Sequence, residues 1–225
     1  MAAAILVGLV VLLDVLLAFW PLVGGAMAER AKRELDPDVI NAASLVEALA
    51  QLAYLVPFAA AGVLVIVWGY RARANLDAFP GATTTLGKGW AIAGWLVPIA
   101  NLFMPARLMA GIARDSLWRS TTPALVRIWF GGWLLYLFVG QAATLDDTGN
   151  WEALPTELAD ESDYQAYVDY YSAATGPNLL VALLGAVAGA ALILLITRVS
   201  AAQETRIGRG TQAAPVMPGM PMTTA

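Results

Sequence analysis

Neither cysteine nor histidine occurs among the 225 residues, and only 13% of them are charged. The missing thiols exclude disulfides and cysteine nucleophiles, and the missing imidazoles exclude Ser-His-Asp triads and zinc or copper sites built on Cys or His. Charge is as scarce as chemistry: an ordinary soluble domain carries about 25% charged side chains. The net charge of −4 leaves no domain-wide basic field to hold nucleic acid. No cofactor, catalytic group or metal is implied.

Apolar residues, by contrast, make up 59% of the chain, and the mean hydropathy is +0.66. A bilayer core about 30 Å thick needs about 20 apolar residues in a helix, because every peptide group inside it must be satisfied internally. Five stretches approach that length. Residues 2–28 carry one charge, Asp14, and lack the basic start of a cleaved signal peptide, so they read as a retained first span. Residues 48–70 form the second, with Pro57 as an expected kink. Residues 128–145 form the third, and 170–197 contain an interfacial approach followed by a crossing at 176–197. The fifth stretch, 89–106, is settled by charge.

Lys and Arg gather on cytoplasmic flanks. Arg71, Arg73 and Lys88 follow the second span, Arg107, Arg114, Arg119 and Arg127 precede the third, and Arg198, Arg206 and Arg209 follow the last. The loop between carries Asp146, Asp147, Glu152, Glu157, Asp160, Glu161, Asp163 and Asp169 with no basic residue, as suits the outside. With both flanks of 89–106 inside, that stretch must enter and leave by one face or lie along it. Pro98 and Pro105 agree, since each removes a helical hydrogen bond and pushes the preceding residue away from helical dihedrals. The expected fold is all-α: a membrane bundle of four transmembrane helices plus a broken re-entrant or interfacial segment at the cytoplasmic face. Residues 1–200 form one membrane domain with an external acidic loop at 146–175, and 201–225 are expected to be a disordered cytoplasmic tail. Both termini then lie inside. Arg30, Lys32 and Arg33 in the first external loop favour the opposite orientation, offset by Glu29, Glu34, Asp36 and Asp38. In that loop Asp36-Pro37-Asp38 marks a turn or helix start, and Tyr164, Tyr167, Val168 and Tyr171 predict a short tyrosine-faced helix at the outer headgroups.

The stretch Trp68-Gly-Tyr-Arg-Ala-Arg-Ala-Asn75, then Lys88-Gly-Trp-Ala-Ile-Ala-Gly-Trp-Leu-Val-Pro-Ile-Ala-Asn101 and Met104-Pro-Ala-Arg107, resembles a family of actinobacterial multi-span membrane proteins, domain of unknown function 4328. The closing Arg198-Val-Ser-Ala-Ala-Gln-Glu204 is similar to that family's ending after the last span. The resemblance implies a bacterial plasma membrane protein of four spans and brings no activity, substrate or cofactor.

Asp14 lies near the middle of the first span, where an ionised carboxylate costs about 2.5 to 3.5 kcal/mol on insertion scales. It needs a partner: Gln51 and Gln141 are candidates, and the choice is between a protonated cross-link and a proton or cation relay. Asn101 stands between Pro98 and Pro105, placed to satisfy freed backbone groups or to meet a ligand, with Trp90 and Trp95 suited to the headgroup layer. Arg71, Arg73 and Arg107 around it signal topology or form a surface for anionic lipid or a protein partner. Gly185 and Gly189 permit close helix packing, within the chain or between two copies in a homo-oligomer. Asp160, Glu161 and Asp163 offer oxygen ligands to calcium without an EF-hand loop, and Met217, Met220 and Met222 are weak candidates for Cu(I).

The preferred reading is a non-enzymatic component of the bilayer whose Gly-Trp/Pro/Asn segment engages a lipid or protein partner. The alternative is a small oligomeric transporter or channel subunit using Asp14. An intramembrane hydrolase is disfavoured because Asp14 has no visible carboxylate mate and no serine has a base.

Overall fold

Helices follow the apolar runs and then outlast them. The computed structural model describes residues 1–212, which form α1 (Ala2–Ala18), α2 (Trp20–Glu34), α3 (Pro37–Asn75) with a 3-10 turn (Leu76–Ala78), α4 (Trp90–Leu96), α5 (Pro98–Asn101), α6 (Met104–Ser116), α7 (Ala124–Glu152) and α8 (Glu161–Gln212). Four units are long and apolar enough to cross a membrane: α1 with α2, then α3, α7 and α8. The expected four-span, all-helical architecture is therefore present, with no strand among the described residues.

Polar flanks extend each span because capping and packing favour helix beyond the hydrocarbon. Asp36 caps α3 by accepting from the Asp38 amide at 3.0 Å, and Pro37 occupies the first turn, where its missing N–H costs nothing. Only Leu35, at φ 50°, and Asp36 connect α2 to α3, so the expected loop at 29–44 is nearly all helix. The acidic loop contracts likewise to the few residues between Glu152 and Glu161. Within it, Asp160 accepts from the Ser162 amide at 2.9 Å and Asp163 from the Ala159 amide at 2.8 Å, which makes these acids caps for the start of α8. The tyrosine-faced helix is the opening of α8 itself. Tyr164, Tyr167 and Tyr171 are buried in a cluster with Ala28, Ala31 and Ile40, so they join α8 to α2 and α3 rather than face headgroups.

The first span breaks at Phe19, just ahead of Pro21, whose missing N–H leaves the Leu17 carbonyl without its helical donor. In the bundle, α8 packs against α7 on one side and α1 and α2 on the other, and α3 packs on α1 and α2. No Cα of α3 comes within 8 Å of one in α7. The four spans thus leave a cleft between α3 and α7, which α6 of the hairpin region touches on both sides.

The mid-sequence segment folds back on itself. Its helix stops at Val97 (φ −87°, ψ 116°), the residue before Pro98, and breaks again at Phe103 (φ −147°, ψ −27°). A Cβ on Gly94 would lie 3.1 Å from Cβ of Met104, whereas ten residues of continuous helix would separate the two by about 15 Å. Beyond the hairpin, Asp115 accepts from the amides of Thr83 at 2.9 Å and Thr84 at 2.8 Å, so the chain before and after the hairpin meets at one place. We therefore expect single cysteines at Thr84 and Thr121, in this cysteine-free chain, to be labelled by an impermeant maleimide from the same side of sealed vesicles. Labelling from opposite sides would refute the hairpin.

α8 does not end with the last span. It continues to Gln212, twelve residues into the stretch expected to lack order. Gln203 explains the extension: its Nε2 donates to the Ala72 carbonyl and to Ser116 Oγ, both at 2.9 Å, and its Oε1 accepts from Asn75 at 2.9 Å. Met217, Met220 and Met222 lie outside the described residues.

Candidate functional site

Asp14 projects from α1 into the cleft. Tyr54 on α3 and Tyr136 on α7 line the cleft beside it. These three side chains bridge a gap that the backbones leave open. Gly185 on α8 makes room for them: a Cβ there would sit 2.8 Å from Asp14 Oδ2 and 3.0 Å from Tyr136 Cε2.

Towards the loop face, the cleft is a polar cavity of about 500 Å³. Its carboxylates are Asp14, Glu47 and Asp147, its phenols Tyr54, Tyr136, Tyr170 and Tyr171, and its amides Gln51, Gln141 and Asn178. No Lys or Arg lines it among the described residues. Tyr170 donates to Asp147 at 2.9 Å and Tyr171 donates to Glu47 at 3.4 Å, so the mouth is a ring of acids held by phenols. The Trp20 indole N–H sits beside Glu47, buried without a hydrogen-bond partner. Seven residues of α3 separate Glu47 from Tyr54, about 10 Å of depth. No three acids among the described residues converge closely enough to hold a metal ion.

Towards the termini face lies a second, apolar chamber of about 420 Å³. Asp14, Tyr54 and Tyr136 line both chambers and form the partition between them. Val7, Phe58, Val65 and Leu192 contribute to the inner wall. Trp95 reaches its far end, stacked edge-on against Trp133 with ring centroids 6.1 Å apart, and Asn101 is there too, its Oδ1 buried without a partner. The two regions singled out in the sequence, Asp14 and the Pro98–Asn101 turn, are thus opposite ends of one space.

The other predicted residues distribute as follows. Gln51 and Gln141 line the outer cavity, while the tyrosines take the place beside Asp14 that they were expected to fill. Gly189 lies against Val7 and Val11 of α1, so the Gly185 and Gly189 face is occupied within the chain. Pro105 is buried, Pro98 and Trp90 are exposed, and Arg71 and Arg107 reach solvent on the termini face. Arg73 is turned inward at 8% exposure and donates to the Leu86 carbonyl and Asp77 at 2.6 Å. It therefore fastens the 79–88 loop and presents no free charge to a lipid.

Asp115 fastens the same loop from the other side. Besides the two amides it accepts from the hydroxyls of Thr83 at 3.0 Å and Thr84 at 2.6 Å. Burial raises its carboxyl pKa, but the hydrogen bonds from Thr84 and Thr83 outweigh burial and hold it below the ordinary carboxylate value. Arg206 of α8 completes the cap, donating to the Asp115 carbonyl at 2.9 Å and lying 3.8 Å from the centroid of the Trp118 ring.

Sequence reasoning missed Tyr54, Tyr136, Glu47 and Asp147 as one group, because two spans far apart in the chain supply them. One signal was available: a tyrosine deep in an apolar span must find a partner for its hydroxyl.

Four spans, a folded-back hairpin and a partitioned cleft define a small multi-pass membrane protein. The chain belongs to the family described as Domain of unknown function (DUF4328), which matches residues 31–201. No curated protein and no solved structure matches it.

Proposed function

We propose that this protein is a non-enzymatic membrane component that binds an organic cation in the cleft between α3 and α7. The observation that carries the reading is the lining of the outer cavity: three carboxylates and four phenols around about 500 Å³, with no basic side chain to neutralise them. Ionised carboxylates in a partly desolvated cavity are stabilised by a countercharge. The acids are too dispersed to chelate a metal, whereas phenol rings and carboxylates spread along a wall suit the diffuse charge of an ammonium with carbon substituents. The same features support a transporter, because the cavity runs from the loop face to mid-bilayer.

We place the protein in a bacterial plasma membrane with both termini in the cytoplasm. Exposed Arg71, Lys88, Arg107 and Arg119 then face the anionic inner leaflet, each contributing about 1 kcal/mol. This face also offers a surface to a protein partner or a second copy.

The test is equilibrium binding of benzyltrimethylammonium to the purified chain in uncharged nanodiscs. We expect saturable binding that weakens about tenfold or more in Asp14→Asn, which keeps the volume and removes the charge. Absence of saturable binding, or an unchanged affinity in Asp14→Asn, would overturn the proposal.

A further inference from the structure

The inner chamber poses a separate question, since a head group held at the partition leaves the apolar space behind it unfilled. We infer that the ligand is a single-chain cationic amphiphile: its ammonium lies against Asp14, Tyr54 and Tyr136, its hydrocarbon chain occupies the inner chamber, and it enters sideways from the bilayer between α3 and α7. The inference rests on the cation reading and adds the tail, its location and its route.

Three observations meet here. Asp14, Tyr54 and Tyr136 line both chambers, so a molecule at the partition touches polar and apolar walls at once. The inner wall is hydrocarbon and aromatic, with Val65 buried and Phe58 exposed into open space, and its polar groups lie only at the two ends, Asp14 with the tyrosines at one and Asn101 at the other. A small hydrated cation would find no ligand along that wall, whereas an alkyl chain finds contact along its length. Finally, no Cα of α3 lies within 8 Å of one in α7, so no close helix-to-helix contact separates the two along the chamber, and an amphiphile already dissolved in the bilayer need not cross water to reach it. An ordinary phospholipid chain would fit the apolar wall equally well, but its phosphate would have to sit against Asp14, with Glu47 and Asp147 in the cavity above it and no basic side chain to offset them. Charge complementarity therefore selects the cationic head.

Gly62 supplies a probe of the tail site. It lines the inner chamber, and a Cβ built on it meets nothing within 4 Å, so a larger side chain there enters the cavity without displacing its neighbours. Ala59, exposed on the same wall, offers a second position. Binding of decyltrimethylammonium and of chain-free benzyltrimethylammonium is measured on the wild type, Gly62→Phe and Ala59→Phe in uncharged nanodiscs, with empty nanodiscs subtracted. Each methylene kept out of an apolar site is worth about fourfold in affinity. The expected result is a loss of about tenfold or more for the decyl probe in both variants, with the benzyl probe within about twofold of the wild type. Retained benzyl binding also shows that the variants are folded. If both variants bind the decyl probe like the wild type, or lose both probes equally, the tail assignment is overturned while the cation reading stands. If the wild type binds neither probe, the cation reading itself fails, and the inference with it.

Discussion

Gly189→Leu is expected to lower the stability of the folded bundle by about 3 kcal/mol, the upper part of the range for forcing extra methylenes into a packed interface. The α1–α8 contact is built on the absence of a side chain here: a Cβ on Gly189 would fall inside the van der Waals envelope of Val11 Cγ2, with Val7 Cγ1 behind it at 3.8 Å. Val11 is held by its own helix, so α1 as a whole must withdraw. Asp14, one turn further on, would be carried away from Tyr136 with it. Thermal unfolding in mild detergent should show the loss, with Gly62→Leu as the control, since Gly62 is equally small and faces open space. Equal melting shifts in the two variants would refute this account of the interface.

Asp115→Ala carries a comparable effect at the opposite end. Two amides and two hydroxyls converge on that carboxylate, whose side chain is only 5% exposed. Hydrogen bonds to a charged acceptor are worth about 1.5 to 3 kcal/mol each, and since four on one group do not add fully, a net cost of about 4 kcal/mol is expected. The 79–88 loop should detach, and a cysteine placed at Leu86, which is half-buried against the core, should react with an impermeant thiol reagent faster than in the parent by about tenfold or more as local opening exposes it. An unchanged rate would count against the cap. The pH dependence has a definite sign. Because the folded pKa of Asp115 lies below its unfolded value, near 3.9, the stabilisation is complete above that value and is lost as pH falls through the folded one. The parent's Leu86 cysteine reporter should therefore become more reactive on acidification below about pH 4, and Asp115→Asn should abolish that dependence.

The spans and the hairpin were legible because each rests on a local signal. Length of apolar run gives the crossings, and Arg71 to Lys88 with Arg107 to Arg127 give the parity that Gly94 against Met104 then realises in space. The helix starts at Asp36 and ahead of Tyr164 were legible, but their continuity with the spans was not, because hydropathy falls at the membrane surface while the helix itself runs on to such caps. The site was half legible. Asp14 stands out as the lone charge of its span, but its neighbours Tyr54 and Tyr136 are ordinary residues of α3 and α7, and only the packing of the four helices brings them to it. Nothing in the spacing of one helix reveals that another leaves a gap.

α8 runs as one helix of 52 residues, about 78 Å, of which about 50 Å lies between the phenols at the cavity mouth and the cap around Gln203. Tyr170 and Arg206 therefore stand on one helix with no loop between them, interrupted only at Pro177, whose missing N–H removes one helical hydrogen bond. The part of the helix beyond Pro177 is tied to the Gln203 cap, and the prolyl position is where the tyrosine-bearing turns can bend relative to it.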